Sequence, residues 1–394
     1  MSNILHITDW ILFLFFMLIV LYLLVFSLAS LKKRKLKSNI HLDEKRMMLV
    51  LFPAYKEDEI IIDSIKDFLK QDYPPDRFEV VVISDKMRTE TNDSLKELSV
   101  TIFEANYENS TKAKALNLAI DKLGDRLYDV VVVMDADNKV ETSFLKDINN
   151  AFCKGSKAVQ AHRTAKNLNT SIAILDAISE EINNSIFRKG HINFGLSAAL
   201  IGSGMAFEYN WFRENIKKFR TMPEERELET LLLKQRVSID YLEEVLVYDE
   251  KIQKSEIFYK QRRRWFASQI ETLKSVIWDL PSALFSGNIS YADKIIQWLF
   301  LPRLLILGFL TGIAFILALF SFAISIKWFV LLFLLLFSLI ISIPAKFFNK
   351  RLLVALWNLP YLFFLMFLNI FKVKGVYSKF IHTEKNYKKD ENCN

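Results

Sequence analysis

Cysteine is scarce in this chain: its 394 residues include only Cys153 and Cys393, which lie far apart in the sequence. Two distant cysteines exclude the disulfide framework of small secreted domains and are typical of a cytoplasmic catalytic region. Lysine and arginine are absent from the first ten residues, so the positive start of a cleavable signal peptide is missing too. We therefore expect an uncleaved membrane anchor. We find no internal repeat and no low-complexity linker.

Long apolar stretches are abundant. Apolar residues make up 52% of the chain and 33 residues are Phe, a composition that favours a membrane protein. Ile11 to Leu31 form a run of 21 residues without a charge, long enough to cross the roughly 30 Å hydrocarbon core of a bilayer. The basic run from Lys32 to Lys37 follows this segment, and the positive-inside tendency then predicts that the next residues are cytoplasmic.

The net charge of +7 does not indicate a nucleic-acid partner. Basic residues concentrate beside the apolar segments, at positions 32 to 37, 346 to 351 and 372 to 388. Topology and contact with anionic lipid headgroups account for such positions. We expect membrane lipids as partners and no nucleic acid.

The central region alternates between two patterns, which predicts an α/β fold with a mostly parallel sheet covered on both faces. Short β-branched runs predict strands, and amphipathic stretches between them predict helices. The predicted strands are Met47 to Phe52, Val80 to Ser84, Val100 to Glu104 and Val130 to Met134, and the helices are Ile60 to Lys70 and Ala113 to Leu123. Ligands of such sheets collect at the carboxyl ends of the strands.

The last third of the chain is again apolar, with windows at Leu299 to Ile324, Trp328 to Ile343 and Leu352 to Phe371. Three crossings from a cytoplasmic domain would leave the basic tail on the outer side of the membrane, against the positive-inside tendency. We therefore expect that one of these windows does not span the membrane. The third window, interrupted by Asn358 and Pro360, is a candidate re-entrant or interfacial element, and Arg303 makes the first imperfect. We predict an anchor with its basic stop (1–37), a cytoplasmic catalytic domain (38–276), interfacial helices (277–297), transmembrane segments (298–371) and a polar tail (372–394).

Two carboxylates, Asp135 and Asp137, directly follow the predicted strand that begins at Val130. Alternate residues of extended chain face the same side, so both can point at one cation. Oxygen ligands together with substrate phosphates suit Mg²⁺ or Mn²⁺. The alternative is a polar turn, since turns also favour Asp and Asn.

Other polar residues follow strands or open helices at the same predicted edge. Asp85 follows the strand from Val80 and can accept hydrogen bonds from a nucleobase or ribose, or cap a helix. Lys112 and Lys114 open a helix, where an anionic diphosphate would offset their unfavourable interaction with the helix dipole; the alternative is solvated lysines. The segment Pro53-Ala54-Tyr55-Lys56-Glu57 adds an aromatic face and an acceptor after the first strand.

One helical face near the end of the central region carries Gln261, Arg264 and Trp265. Arginine can hold a diphosphate in fork geometry, and tryptophan offers a flat face to a sugar ring. The alternative is a basic helix on lipid headgroups, which fits Arg262 or Arg263.

Taken in order, these motifs resemble the processive inverting family 2 glycosyltransferases, which include the cellulose, chitin, hyaluronan and poly-N-acetylglucosamine synthases. The resemblance covers roughly residues 47 to 270, and its most specific element is QxxRW at Gln261 to Trp265. It implies a GT-A type nucleotide-sugar-binding domain with transmembrane helices at both ends. It also implies site residues: Pro53, Ala54, Tyr55, Glu57, Asp85, Lys112 and Asp135 for the UDP-sugar, Asp135 and Asp137 for Mg²⁺ or Mn²⁺, and Gly202, Ser203, Gly204, Gln261, Arg264 and Trp265 for the acceptor and diphosphate.

The sequence departs from the family at the general base. The family pattern Thr-Glu-Asp-x-Glu-Leu falls on Pro223-Glu224-Glu225-Arg226-Glu227-Leu228, so the base position holds Glu225. One extra methylene moves the carboxylate by about a bond length, and reach matters before pKa does. Either the pocket is recessed to suit Glu225, or Glu224 takes the role, or the activity is altered.

The resemblance implies an inverting, metal-dependent glycosyltransferase of the plasma (inner) membrane that adds sugar from a UDP-sugar to a growing polysaccharide. N-acetylglucosamine and glucose are the sugars it suggests, although no residue specifies either. Two alternatives stay open: transfer of a single sugar to a lipid-linked or other acceptor, and a catalytically silent nucleotide-binding subunit.

Overall fold

The structure is a computed structural model, and it describes residues 3–32, 44–218 and 224–371. The predicted basic residues 33–37, Pro223, and the predicted tail 372–394 with Cys393 lie outside the described residues. The described chain begins with an apolar helix, alternates strands and helices through a central region and ends in further apolar helices.

A single eight-stranded sheet forms the centre of the described chain. The strands are β1 (Met48–Tyr55), β2 (Phe78–Asp85), β3 (Thr101–Ala105), β4 (Val130–Val133), β5 (Lys139–Val140), β6 (Ala158–Ala165), β7 (Met205–Glu208) and β8 (Ile239–Asp249). Their order in the sheet is β3-β2-β1-β4-β7-β6-β8-β5, with four parallel and three antiparallel neighbouring pairs, so the sheet is mixed. The half that contains β1 to β4 is parallel, as predicted.

Helices cover both faces of this sheet, because successive side chains of a strand point to opposite sides. Leu49 and Leu51 of β1 belong to one apolar core, whereas Met48, Val50 and Phe52 belong to the other. The helices of this region are α2 (Ile61–Phe68), α3 (Thr89–Lys96), α4 (Lys112–Leu123), α5 (Phe144–Cys153), α6 (Ser171–Asn183), α7 (His191–Phe194), α8 (Tyr209–Ile216), α9 (Glu224–Lys234) and α10 (Ser255–Val276).

Strand β1 is longer than predicted and continues through Pro53 to Tyr55. The reason is its parallel pairing with β2, in which Tyr55 lies opposite Asp85. A proline fits here because β1 is paired on both sides only over its first four residues. The extension brings an aromatic ring to the carboxyl edge of the sheet, beside the Asp85 carboxylate.

Three of the described helices are long and apolar enough to cross a membrane, which indicates membrane association. They are α1 (Asn3–Ser30), α13 (Arg303–Phe320) and α14 (Phe322–Ile341). The third predicted C-terminal window forms two helices, α15 (Lys350–Leu356) and α16 (Leu359–Phe371), which meet at a bend of 44°. Such a bend is compatible with a broken span or a re-entrant loop. Between α10 and α13 lie two short helices, α11 (Leu280–Phe285) and α12 (Ile289–Leu299).

Polar contacts join α1 to α14 at both ends. The helix α1 begins well before the uncharged run from Ile11, because Asp9 has partners there: Lys327 pairs with its carboxylate and the Trp328 indole N–H donates to it over 2.9 Å. Near the other end, the hydroxyl oxygens of Ser27 and Ser338 lie 2.7 Å apart. The N-terminal helix is therefore packed against the C-terminal helices.

Candidate active site at the carboxyl ends of the strands

A cavity of about 280 Å³ opens at the carboxyl edge of the sheet. Fourteen of the sixteen predicted site residues line it: Pro53, Ala54, Tyr55, Glu57, Asp85, Lys112, Asp135, Asp137, Gly202, Glu224, Glu225, Gln261, Arg264 and Trp265. Ser203 and Gly204 are not among the lining residues. Ser203 is fully buried, and Gly204 adopts a positive φ of 62° where a side chain would collide with Val247. The cavity thus brings together segments spread over more than 200 residues of sequence.

Three aspartates converge on one side of the cavity. Asp135 and Asp137 follow β4, and Asp249 ends β8; one carboxylate oxygen from each lies within 4.8 Å of the others. Asp135 also takes part in a turn, since the Asn138 amide oxygen accepts from its backbone N–H over 3.0 Å. The turn chemistry that offered an alternative interpretation therefore coexists with a cluster of converging carboxylates.

This cluster fits a divalent cation. Asp137 and Asp249 are buried, and buried carboxylates that share a site repel one another unless a cation lies between or beside them. Three carboxylate oxygens are the ligand type that Mg²⁺ and Mn²⁺ prefer. Sequence reasoning missed Asp249, although the apolar run Val245 to Tyr248 that ends in this acid is the same signal that identified Asp85.

Lys112 connects the aspartates with the rest of the cavity. Its ammonium donates to Asp135 over 2.6 Å and to the Gly202 carbonyl over 2.5 Å, and lies 3.7 Å from Glu224. Burial by itself would lower the pKa of Lys112, but the nearby carboxylates of Asp135 and Glu224 outweigh it and raise the pKa. Lys114, by contrast, donates to the Asn109 carbonyl, away from these groups.

Asp85 presents an unused acceptor to the cavity. Its side chain is buried, and its Oδ1 atom has no hydrogen-bond partner among the described residues. Burial raises the pKa of Asp85, while a hydrogen bond from Ser110 opposes the rise. A buried acceptor without a partner is costly, and a ring N–H or hydroxyl of a bound ligand would satisfy it.

Glu224 and Glu225 enter the cavity from the first turn of α9. Burial raises the pKa of Glu224 to about 7; Lys112 opposes this rise, and repulsion by Glu225 adds to it. Burial raises the pKa of Glu225 as well. The Glu225 carboxylate faces Gly202, where an added methyl group would lie 3.6 Å from its carboxyl carbon. One of these acids can therefore exchange a proton near neutral pH beside a wall that has no side chain.

Gln261, Arg264 and Trp265 reach the cavity from α10. The Gln261 carbonyl oxygen has no partner among the described residues. Burial lowers the pKa of Arg264, and the charges of Glu225 and Glu224 act in the opposite direction. Arg262 does not fit the predicted lipid contact, because its guanidinium pairs with Asp176 and stacks on the Trp265 ring at 4.6 Å.

A buried network of charges behind the cavity was not predicted. The Glu180 carboxylate accepts from Arg163 over 3.0 Å and from Arg188 over 3.1 Å, and the buried Lys251 ammonium donates to Asp249 over 3.0 Å. The coulombic attraction of Arg163 and Arg188 outweighs burial and lowers the pKa of Glu180 to about 2. Arg163 lies on β6, Glu180 on α6, Arg188 in the segment between α6 and α7, and Lys251 after β8, so most of these contacts join residues far apart in the sequence.

Comparison with known proteins places these observations in a family. Residues 46–268 match the sequence profile of the family described as glycosyltransferase like family 2. The chain is similar to the Bacillus subtilis (strain 168) protein named "Probable glycosyltransferase YdaM", with 24% identity over 309 residues that cover 69% of this chain and 71% of that protein.

Two solved structures resemble the fold to different degrees. Mannosyltransferase PcManGT from Pyrobaculum calidifontis, in complex with GDP-Man and Mn²⁺, gives a TM-score of 0.53 at 16% identity and covers 85% of this chain and 96% of its own. S. aureus TarS 1-349 in complex with UDP-GlcNAc gives a TM-score of 0.44 at 16% identity, covering 84% and 90%. The first supports the fold alone, and the second is too distant to support an argument.

Proposed function

The chain belongs to the glycosyltransferase like family 2, with a GT-A-like fold and a mixed sheet, and from that premise we propose that it is an inverting, metal-dependent transferase that extends a polysaccharide at the membrane. One observation carries this proposal: the aspartate cluster and the Glu224–Glu225 pair line the same cavity, with Lys112 between them. Donor activation and proton removal from an acceptor would then be possible in one site.

The donor is a UDP-sugar in this proposal, with N-acetylglucosamine or glucose as the sugar. The unused oxygen of Asp85 can accept from the ring N–H of uracil, beside the Tyr55 ring. Asp135, Asp137 and Asp249 would hold Mg²⁺ or Mn²⁺, which supplies charge neutralisation for the diphosphate. Lys112 and Arg264 add fixed positive charge on the same cavity wall.

The acceptor side is formed by Glu225 and Gly202. An acceptor hydroxyl oxygen attacks the anomeric carbon, its proton moves to Glu225, and the bond between that carbon and the diphosphate oxygen breaks with its electron pair leaving on UDP. Substitution from the side opposite the leaving group inverts the anomeric centre. Burial raises the pKa of both glutamates, and a carboxylate whose pKa is raised is a stronger base toward the acceptor proton.

The apolar helices support a location in the plasma (inner) membrane with the catalytic domain in the cytoplasm. Three described helices are long enough to span, and α1 packs on α14. Within this proposal the domain boundaries remain those of the sequence prediction, with residues 38–276 as the catalytic domain.

Purified protein in detergent or nanodiscs tests this function. A panel of UDP-sugars, with GDP-mannose as a further donor, is offered with Mg²⁺ and with Mn²⁺, and the products are sized. We expect a ladder of products from one UDP-sugar; a single short product would indicate one-sugar transfer instead. Measurable UDP binding without any transfer or hydrolysis would favour a silent subunit and overturn the proposal.

The proposed base is tested by Glu225→Gln. The amide cannot accept the proton, so we expect sugar transfer to be lost while UDP affinity is unchanged. Glu224→Gln is the matched variant on the neighbouring residue. A fully active Glu225→Gln enzyme together with an inactive Glu224→Gln enzyme would assign the role to Glu224.

A further inference from the structure

Helix α9 is held in place by a buried acid one turn beyond the proposed base. Glu229 lies four residues after Glu225, so the two side chains share a face of the helix. Glu229 is only 4% exposed, and its Oε1 atom accepts from the backbone N–H of Leu200 over 3.1 Å. The same oxygen lies 2.9 Å from the ammonium of Lys294, which is 3% exposed.

The Leu200 contact fixes the wall that faces the proposed base. Leu200 precedes Gly202, whose carbonyl accepts from Lys112 and whose α-carbon faces the Glu225 carboxylate. Glu229 therefore joins the two pieces of chain between which an acceptor hydroxyl must fit. A shift of either piece by about 1 Å is enough to lower a rate about 100-fold.

The Lys294 contact connects α9 to the apolar helices. Lys294 is on α12, where its neighbour Asp293 accepts from the Tyr22 hydroxyl of α1 over 2.6 Å. Asp293 also lies 3.2 Å from the fully buried His191, whose ring stacks on Phe26 of α1 at 3.8 Å. Gln297 joins Lys294 to Asp293, since its amide oxygen accepts from Lys294 over 2.8 Å and its amide nitrogen donates to Asp293 over 2.7 Å. A set of polar contacts thus runs from α1 through α12 to α9.

We propose that Lys294 and Glu229 are positioning residues that fix the Glu224–Glu225 pair against the Gly202 wall, with α12 transmitting the position of the apolar helix α1. This inference rests on the proposed function of that site. Two other contacts between α9 and the segment following α10 hold the far end of the helix: Lys234 pairs with Asp279 at 2.9 Å, and the Asn288 amide donates to the Leu233 carbonyl over 2.8 Å. The Glu229–Lys294 pair is nearer to the acids than either.

The test compares Lys294→Met with Lys234→Met. Both remove a lysine that pairs α9 with the segment following α10, but Lys234 is largely exposed and lies at the far end of the helix. We expect Lys294→Met to lower kcat about 10- to 100-fold while the donor KM and the UDP affinity stay within about twofold. Lys234→Met should match the wild type, because exposed ion pairs contribute little.

A second variant separates positioning from folding. Lys294→Met alone leaves a buried carboxylate without its cation, which destabilises proteins, whereas Glu229→Gln/Lys294→Met leaves no unpaired charge. We expect the double variant to melt near the wild-type temperature and still show the lowered kcat. A double variant with wild-type kcat would overturn the proposal, as would a loss of UDP affinity in proportion to kcat.

Hydrogen exchange gives a readout that does not depend on sugar transfer. The Leu200 amide donates to Glu229, so peptides covering residues 196–204 should exchange faster in Lys294→Met than in Lys234→Met or the wild type. Faster exchange in a protein that transfers no sugar would uphold the positioning contact while the proposed function fails. Equal exchange in all three proteins would refute the contact itself, whatever the enzyme does.

Discussion

Replacing Asp249 by asparagine tests the aspartate cluster at the residue that sequence reasoning missed. The three carboxylate oxygens lie within 4.8 Å of one another, so there is a point that lies within about 2.8 Å of all three, where a cation could bind. Mg²⁺ binds oxygen at about 2.0–2.1 Å, so a small inward movement of the side chains completes the site. The Asp249→Asn substitution keeps the size of the side chain and removes one negative charge.

The size of the effect follows from that geometry. A unit charge at about 2.8 Å from a divalent ion, in surroundings of effective dielectric about 20, contributes on the order of 10 kcal/mol before solvation. Dehydration of the ion and of the carboxylate cancels most of this attraction. We therefore expect a net loss of about 1.4–2.8 kcal/mol, which is a 10- to 100-fold weaker Kd for Mn²⁺.

The assay is a titration of Mn²⁺ followed by the electron paramagnetic resonance of the free ion, with and without UDP. Asp240→Asn is the matched control, because Asp240 lies at the other end of β8 and accepts from Ser156 over 2.7 Å. Lys251 loses its partner in Asp249→Asn, so Lys251→Met and Asp249→Asn/Lys251→Met are compared as a second pair. If Asp249→Asn binds Mn²⁺ as tightly as Asp240→Asn does, Asp249 is not a metal ligand and the assignment of the three aspartates as a cation site is wrong.

Two further predictions concern the nucleotide and the acid pair. Asp85→Ala should weaken UDP binding about 10- to 100-fold, since a hydrogen bond to a charged group contributes about 1.5–3 kcal/mol. Mn²⁺ binding in the absence of nucleotide should stay unchanged, and calorimetric titration measures both affinities. An unaltered UDP affinity would contradict the role of Asp85. Activity should fall by up to about tenfold per pH unit as the pH drops through the raised pKa of the proposed base Glu225 and level off above it, because the protonated carboxyl group cannot accept a proton from the acceptor. A rate that stays constant as the pH falls through the acid range would contradict a carboxylate base in this cavity.

The first half of the sheet could be predicted because its signals are local. Val130–Val133 is an uninterrupted β-branched run, fully buried between two layers of helices, and the amphipathic pattern of α4 begins within one residue of its true start. The second half was not predicted because its pairing is nonlocal. β7 has four residues and pairs antiparallel with β4 and β6, which no pattern within those four residues encodes.

The residues of the candidate site also separate into those that local sequence signals predict and those that they do not. Residues that follow a strong strand or share one helical face were identifiable, and most of them line the cavity, although their roles stay predictions. The charges around Glu180 were not identifiable, because Arg163, Arg188 and Glu180 become neighbours only when β6 and the α6 region pack together. Polar residues of that kind look like ordinary surface residues until the fold brings their partners to them.

The glutamate at the base position shows why such distant contacts matter for chemistry. From the sequence, the extra methylene of Glu225 posed a problem of reach, with a recessed pocket as one solution. In the structure the opposing wall is Gly202, whose φ of 89° favours glycine and whose missing side chain leaves the carboxylate 3.6 Å from where a methyl group would lie. The longer acid therefore faces a residue 23 positions earlier in the chain, which Lys112 and the Glu229 contact to Leu200 hold in place. Where the Glu225 carboxylate lies in the cavity thus depends on how these segments pack, and not only on the length of the side chain.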